Sequence, residues 1–169
     1  MTFSQSELKG RILFEGTSFY ATMAGGEAIS ALKAAKAAKA AKSSEAVLNA
    51  QKIQTLSGYS PDDFTMVTLK KGDVILGGKP GQSQFYTDLD SVLQSNLSRS
   101  DLFQGLQSAP HSELGYRPRL GSYTVTEDIS VSAGRTLANP QYGSGGYKQY
   151  VIEDFNNFLR YNGGYNLGK

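Results

Sequence analysis

The strongest constraint in this sequence is a run from Gly26 to Thr55 in which alanine dominates and neither glycine nor proline interrupts. Alanine gives up no side-chain entropy on entering a helix, so the run predicts one long helix. Lys33, Lys36, Lys39 and Lys42 recur at every third residue. At about 3.6 residues per turn each step of three falls roughly 60° short of a full turn, so the lysines coat about half of the helix rather than forming a stripe. Larger apolar residues stand only at the ends, Ile29 and Leu32 at one, Val47, Leu48, Ile53 and Leu56 at the other. The pattern predicts a spacer helix anchored at its ends with a solvated centre. A membrane-surface helix needs bulky residues opposite its lysines, and this centre offers only alanine. Partner binding stays open as an alternative.

After Ser57-Gly58-Tyr59-Ser60-Pro61 the character changes, and fourteen of the nineteen Gly and eight of the ten Tyr lie beyond residue 60. The expected organisation is a helical N-terminal segment or connector over 1–60, followed by a catalytic-size domain over 61–169, since 169 residues hardly make two independent cores. Within that domain, strands are expected at Thr65–Leu69 and Val74–Leu76 around the Lys71-Gly72-Asp73 turn. Helical spacing follows over Leu89–Leu106, with Ser100-Asp101 able to restart a second helix. Tyr123, Val125, Ile129 and Val131 alternate with polar residues as in a half-buried strand, which puts Glu127 on its apolar side. A short strand at Tyr150–Ile152, a helix over Asp154–Tyr161 and a mobile glycine-rich tail complete an α+β pattern.

Composition removes several kinds of chemistry. The absence of cysteine excludes disulfides, thiolate zinc sites and a cysteine nucleophile, and a single histidine, His111, makes a transition-metal centre a poor expectation. The basic excess is N-terminal: residues 1–60 carry seven Lys/Arg against four Asp/Glu, and residues 61–169 carry ten against eleven. A nuclease usually presents a basic face to phosphate, so nucleic acid is not the expected partner. No stretch has the length and apolarity of a membrane span, and the opening MTFSQSELKGR lacks a signal-peptide pattern, so export would rest on something else.

Three stretches concentrate groups that can do chemistry. Gly77-Gly78-Lys79-Pro80-Gly81-Gln82-Ser83 follows a strand and allows close backbone approach to a phosphate, although it lacks the Gly-Lys-Ser/Thr ending of a Walker loop and also reads as an ordinary turn. Pro110 to Arg119 gathers His111, Tyr116, Arg117 and Arg119, offering a planar fork for a pyrophosphate and an imidazole able to move a proton near neutral pH. From Ala138 to Tyr150 a flexible segment with Tyr142 and Tyr147 delivers a polar amide, Gln149, onto a strand between two aromatic rings, where it must find partners.

Tyr123-Thr124-Val125, then Asn139-Pro140-Gln141-Tyr142-Gly143, then Gly145-Gly146-x-x-Gln149-Tyr150 resembles the end of the NAD-degrading necrotizing toxin family, which is related to ADP-ribosyltransferase-like folds. Gly77 to Thr87 and Gly115-Tyr116-Arg117-Pro118 are similar to segments in the C-terminal toxin domains of bacterial polymorphic toxins. The resemblance spans about residues 65–160 and implies a compact, mainly antiparallel-sheet ADP-ribosyltransferase-like domain with NAD as substrate and no further cofactor or metal. It implies Gln149 beside the nicotinamide ribose and Tyr86 and Arg117 in the pocket, with His111 a further catalytic candidate. Lys79, Gln82, Tyr142 and Tyr147 are the accompanying substrate-binding candidates. It further implies a cognate immunity protein, and a chain exported as the tip of a larger toxin and acting in the target cell's cytoplasm.

The expected activity is NAD glycohydrolysis, whose transition state builds positive charge on the ribose. Arg117 would grip the diphosphate, Tyr86 or Tyr147 would face the cation, and Glu127 is a reserve carboxylate whose alternative is a salt bridge to a nearby arginine. Many transferases have Glu where this motif has Gln, which favours hydrolysis, with mono-ADP-ribosyl transfer as an alternative. Two other readings compete: a toxin nuclease built on His111 with Arg117, Arg119 or Lys79, and a non-enzymatic binding module using the Tyr/Gly-rich surface.

Overall fold

The computed structural model describes residues 26–169; the opening MTFSQSELKGR lies outside the described residues. The chain divides into two compact units, residues 1–42 and 43–169. In the first, the alanine/lysine stretch is helical and exposed throughout its described length, and Ile29 and Leu32 are exposed with it. The helix, α1, runs over Glu27–Leu56 as its composition dictates. Its last turns belong to the second unit, where Ala50 and Gln54, one turn apart, are buried. Val47 and Ile53 pack there against a small core of Ala50, Phe64 and Val151. Leu48 and Leu56 are exposed instead of anchoring the helix.

The second unit is built on a seven-stranded sheet, β1 (Phe64–Leu69), β2 (Val74–Gly77), β3 (Phe85–Asp88), β4 (Arg119–Val125), β5 (Ile129–Arg135), β6 (Lys148–Val151) and β7 (Leu159–Asn166). Its spatial order is β1-β5-β6-β3-β2-β4-β7, and every neighbouring pair is antiparallel. Between β3 and β4 lie two short helices, α2 (Leu89–Gln94) and α3 (Arg99–Gly105). A single helical turn, α4 (Phe155–Phe158), precedes β7. Ile75 and Leu76 are adjacent on β2 yet belong to different apolar clusters, as the two-residue period of a strand requires. One cluster centres on Tyr86, Tyr123, Val125 and Tyr150, the other on Leu76, Val92, Leu102, Phe103 and Leu120. Among the described residues no helix is long and apolar enough to cross a membrane.

Several local expectations change. The strands flanking Lys71-Gly72-Asp73 do not pair with each other: β1 pairs with β5, and β2 lies between β3 and β4. The turn is instead tied to β4, Gly72 donating to the Val125 carbonyl at 2.8 Å and Val125 donating back to Asp73 at 2.9 Å. The helical spacing over Leu89–Leu106 resolves into α2 and α3, and the restart is capped by Ser98, whose Oγ accepts from the Asp101 N–H at 3.3 Å. The alternating stretch around Tyr123–Val131 is two strands, with a turn at Thr126–Asp128 that exposes Glu127. A two-residue period runs on through a short turn when the turn residues happen to fit it, and periodicity alone does not show that β4 and β5 part there to pair with different neighbours. The expected helix over Asp154–Tyr161 shrinks to α4, and the glycine-rich tail is not a loose end. It forms β7 against β4, and Ser98 and Gly168 bridge beyond it. Cross-strand hydrogen bonding in β7 overrides both the helical spacing and the glycines.

Candidate functional site

A cavity of about 560 Å³ opens beside the centre of the sheet, within the size range of small-molecule sites. The strands β6, β3 and β2 contribute Gln149, Tyr86 and Gly77, the last turn of α1 contributes Ile53 and Gln54, and Arg117 comes from the segment before β4. Lys148, next to Gln149, is fixed at both backbone groups: its carbonyl accepts from Thr87 Oγ1 at 2.7 Å and its N–H donates to Ser91 Oγ at 3.2 Å. Gln149 itself stands opposite Gly134 of β5. Tyr150, one residue on, is buried in the aromatic core, so the strand period turns Gln149 away from that core.

The glutamines of this wall differ in what their amides have left to give. Gln54 exchanges both ends with Asp62, its Nε2 donating to Asp62 Oδ2 at 2.6 Å and its Oε1 accepting from the Asp62 N–H at 2.7 Å. Gln107 accepts from the Asn139 N–H at 2.8 Å and donates to the Gly143 carbonyl at 3.1 Å. Gln82 Oε1 accepts from the Lys79 N–H at 3.1 Å. The Oε1 of Gln149 is buried and, among the described residues, accepts nothing. An amide oxygen without water or partner costs about 1–3 kcal/mol, so the site is set to receive a donor.

Arg117 carries the cavity's positive charge. Its guanidinium lies 5.7 Å from the centre of the Phe103 ring, which itself stacks on Tyr116 at 5.4 Å. Burial pulls its pKa below the usual arginine value, with Tyr59 acting in the opposite sense. Among the described residues no carboxylate pairs with it, so a half-buried guanidinium lines the cavity without an ion-pair partner. Room for it comes from Gly78, where a Cβ would stand 2.6 Å from Arg117 Nη1. Burial raises the pKa of Tyr86, which meets Tyr123 edge-on at 5.3 Å. Tyr123, buried and beside Tyr86 and Tyr161, is pushed up to about 12 and donates to the Gly78 carbonyl at 2.5 Å. It stays a phenol that holds the glycine loop.

Of the candidates named from sequence, Gln149, Arg117, Tyr86 and Gln82 line this one cavity. The others stand elsewhere. Lys79 is exposed within the glycine loop after β2 and does not line the cavity. Tyr142 packs edge-on against Tyr59 at 5.4 Å, and Tyr147 packs into the apolar cluster of Leu102 and Phe103. His111 is exposed in a small turn closed on Gly115, where its Nδ1 accepts from the N–H groups of Glu113 at 3.2 Å and Leu114 at 3.3 Å. Glu127 sits in the β4–β5 turn and forms no ion pair among the described residues. Sequence reasoning passed over Gln54, Tyr59, Phe103, Phe155 and Glu153, all on the cavity wall. Only Glu153 had a local signal, as the first carboxylate after Gln149.

The profile of the Rhs1 C-terminal toxin domain family matches residues 40–154. Among solved structures, Rhs1-CT in complex with its cognate immunity protein RhsI1 is similar at 29% identity with a TM-score of 0.60, covering 64% of this chain and 85% of that one. Tse6 in complex with Tsi6 aligns at 19% identity with a TM-score of 0.36, over 66% of this chain and 90% of that one. A comparison with curated proteins found no match. The family match spans more than half of the sequence, including the cavity residues Gln54, Tyr86, Arg117 and Gln149, and the chain therefore belongs to the Rhs1 C-terminal toxin domain family.

Proposed function

We propose that this toxin domain cleaves NAD between nicotinamide and ribose, with water as acceptor, on an ADP-ribosyltransferase-like scaffold. The observation that carries the reading is the buried, unpartnered Oε1 of Gln149 on the wall of the cavity that Arg117 enters. A ribose hydroxyl or the nicotinamide carboxamide supplies the donor that the oxygen lacks, and the diphosphate supplies the anion that Arg117 lacks. Tyr86 presents an aromatic wall on which developing positive charge is tolerated. The sequence resemblance to NAD-degrading toxins points to the same chemistry.

The similar Rhs1-CT is solved with a cognate immunity protein, and we propose that this chain has one too, in keeping with its family. We also propose that the domain travels as the tip of a larger exported toxin and acts in the cytoplasm of the target cell.

The test is incubation of the purified chain with NAD, with and without a protein lysate, following nicotinamide release and ADP-ribosylated protein. Release without lysate is expected, and Gln149→Ala is expected to lower it by at least about a hundredfold while the melting temperature holds. Release only in step with labelled protein would make the domain a transferase. No release from folded chain, or an unimpaired Gln149→Ala, would remove the assignment.

A further inference from the structure

Hydrolysis needs a group that Gln149 cannot supply. As the C1′–N bond breaks, its electron pair leaves with nicotinamide, and the water oxygen that bonds to C1′ must shed a proton. A neutral amide is too weak a base to take it, and Arg117 is already protonated. Burial keeps Tyr86 a phenol. His111 and Glu127 stand outside the cavity. Among the lining residues one carboxylate remains, that of Glu153.

Its placement is built rather than incidental. Ile152, just before it, donates its N–H to the Gln84 carbonyl at 2.9 Å, which ties the end of β6 to the chain entering β3. Phe155, two residues after it, packs against the aromatic core and also lines the cavity. Asn49 of α1 donates through Nδ2 to Glu153 Oε1. Asn49 lies one residue from Ala50, which is buried against Phe64 and Val151, so the donor comes from the docked end of the helix. Glu153 is exposed, and among the described residues its Oε2 has no protein partner, so that oxygen is open to water at the mouth of the cavity.

We propose that Glu153 is the base of this site, taking the proton of the attacking water; the inference rests on the NAD reading above. The water oxygen bonds to C1′, neutral nicotinamide departs with the bonding pair, and the proton passes through the Glu153 carboxylate to solvent, leaving ADP-ribose.

The experiment compares the full wild-type chain with Glu153→Ala, by steady-state nicotinamide release, by calorimetric binding of ADP-ribose and by thermal melting. The expected result is a kcat lowered about 10² to 10³-fold. KM and ADP-ribose affinity should stay within about threefold. Sodium formate, small enough to occupy the vacated space, should restore part of the rate to Glu153→Ala and none to Gln149→Ala. An unchanged kcat, a loss that tracks ADP-ribose binding or the melt, or a loss that formate does not relieve would overturn the role of Glu153 while leaving the NAD reading standing. A folded wild type that releases no nicotinamide would overturn both.

Discussion

Two glycine-rich stretches carry similar composition and do opposite things. At the end of β2 and in the loop after it, glycine makes room for side chains: a Cβ on Gly77 would meet Tyr86 Cδ1 at 2.7 Å, and one on Gly78 would meet Arg117 Nη1 at 2.6 Å. In the segment joining β5 to β6, glycine makes room for backbone: Gly145 has φ +68, and a Cβ there would stand 2.0 Å from the Thr136 carbonyl. Buried polar groups hold that second segment. Asp62 Oδ1 accepts from the N–H groups of Leu137 and Ala138, both at 2.8 Å. Asn139 joins Ser60 through both ends of its amide, at 2.8 and 2.9 Å, and Thr136 Oγ1 donates to the Gly105 carbonyl at 2.6 Å. The first stretch is part of the cavity and the second is scaffold, a distinction that glycine content does not reveal.

The largest expected effect lies in the scaffold. Asp62→Ala would strand three donors, the Leu137 and Ala138 N–H groups and Gln54 Nε2. It should cost about 3 kcal/mol, which for a unit of this size lowers the melting temperature by roughly 10 °C in calorimetry. A change of less than about 2 °C would mean that the clamp does not hold the segment. Gly78→Ala should act oppositely. The atoms it crowds most, Arg117 Nη1 and Gln82 Oε1, are the ends of flexible side chains, so the melt should hold while ADP-ribose binding, read by calorimetry, weakens about tenfold through displaced Arg117 and Gln82. Equal loss of stability and binding in both variants would erase the contrast between the two stretches.

The smallest effect is expected away from both, at the exposed pair of Lys70 Nζ and Asp128 Oδ2, 2.7 Å apart. The hydrogen bond from Lys70, with a second from the Lys71 N–H, holds the Asp128 pKa below its usual 3.8. Because the folded value is the lower one, the pair stabilises above the unfolded value and the contribution is lost as pH falls through the folded one. Asp128→Asn should therefore melt slightly lower at neutral pH, with the two melting curves converging in acid. A gap that persists in acid would assign the effect to something other than this ion pair.

The candidate site was partly legible. Gln149 drew notice because a polar amide between two aromatic rings on a strand needs an explanation, and Arg117 because a planar cation near a tyrosine and a histidine suggests phosphate. The same local reasoning drew in His111 and Glu127, which the fold sends to exposed turns, and Tyr147, which it packs into the core. It passed over Gln54 and Glu153, which reach the cavity through the docked helix end and through the chain leaving β6.

What the sequence determined alone was local: a long helix from alanine-rich composition, short strands from alternation, and turns where glycine, asparagine and proline leave the backbone few alternatives. Tertiary structure decided which strands pair and which side chains share a wall. Strand partners are chosen by apolar burial and cross-strand contacts among residues far apart in the chain, such as Tyr86 with Tyr150 or Leu120 with Tyr165. A cavity is the space such choices leave. Its chemistry depends on which polar atoms remain unpaired after the internal bonds are made, and among the described residues Gln149 Oε1 is a buried atom of that kind.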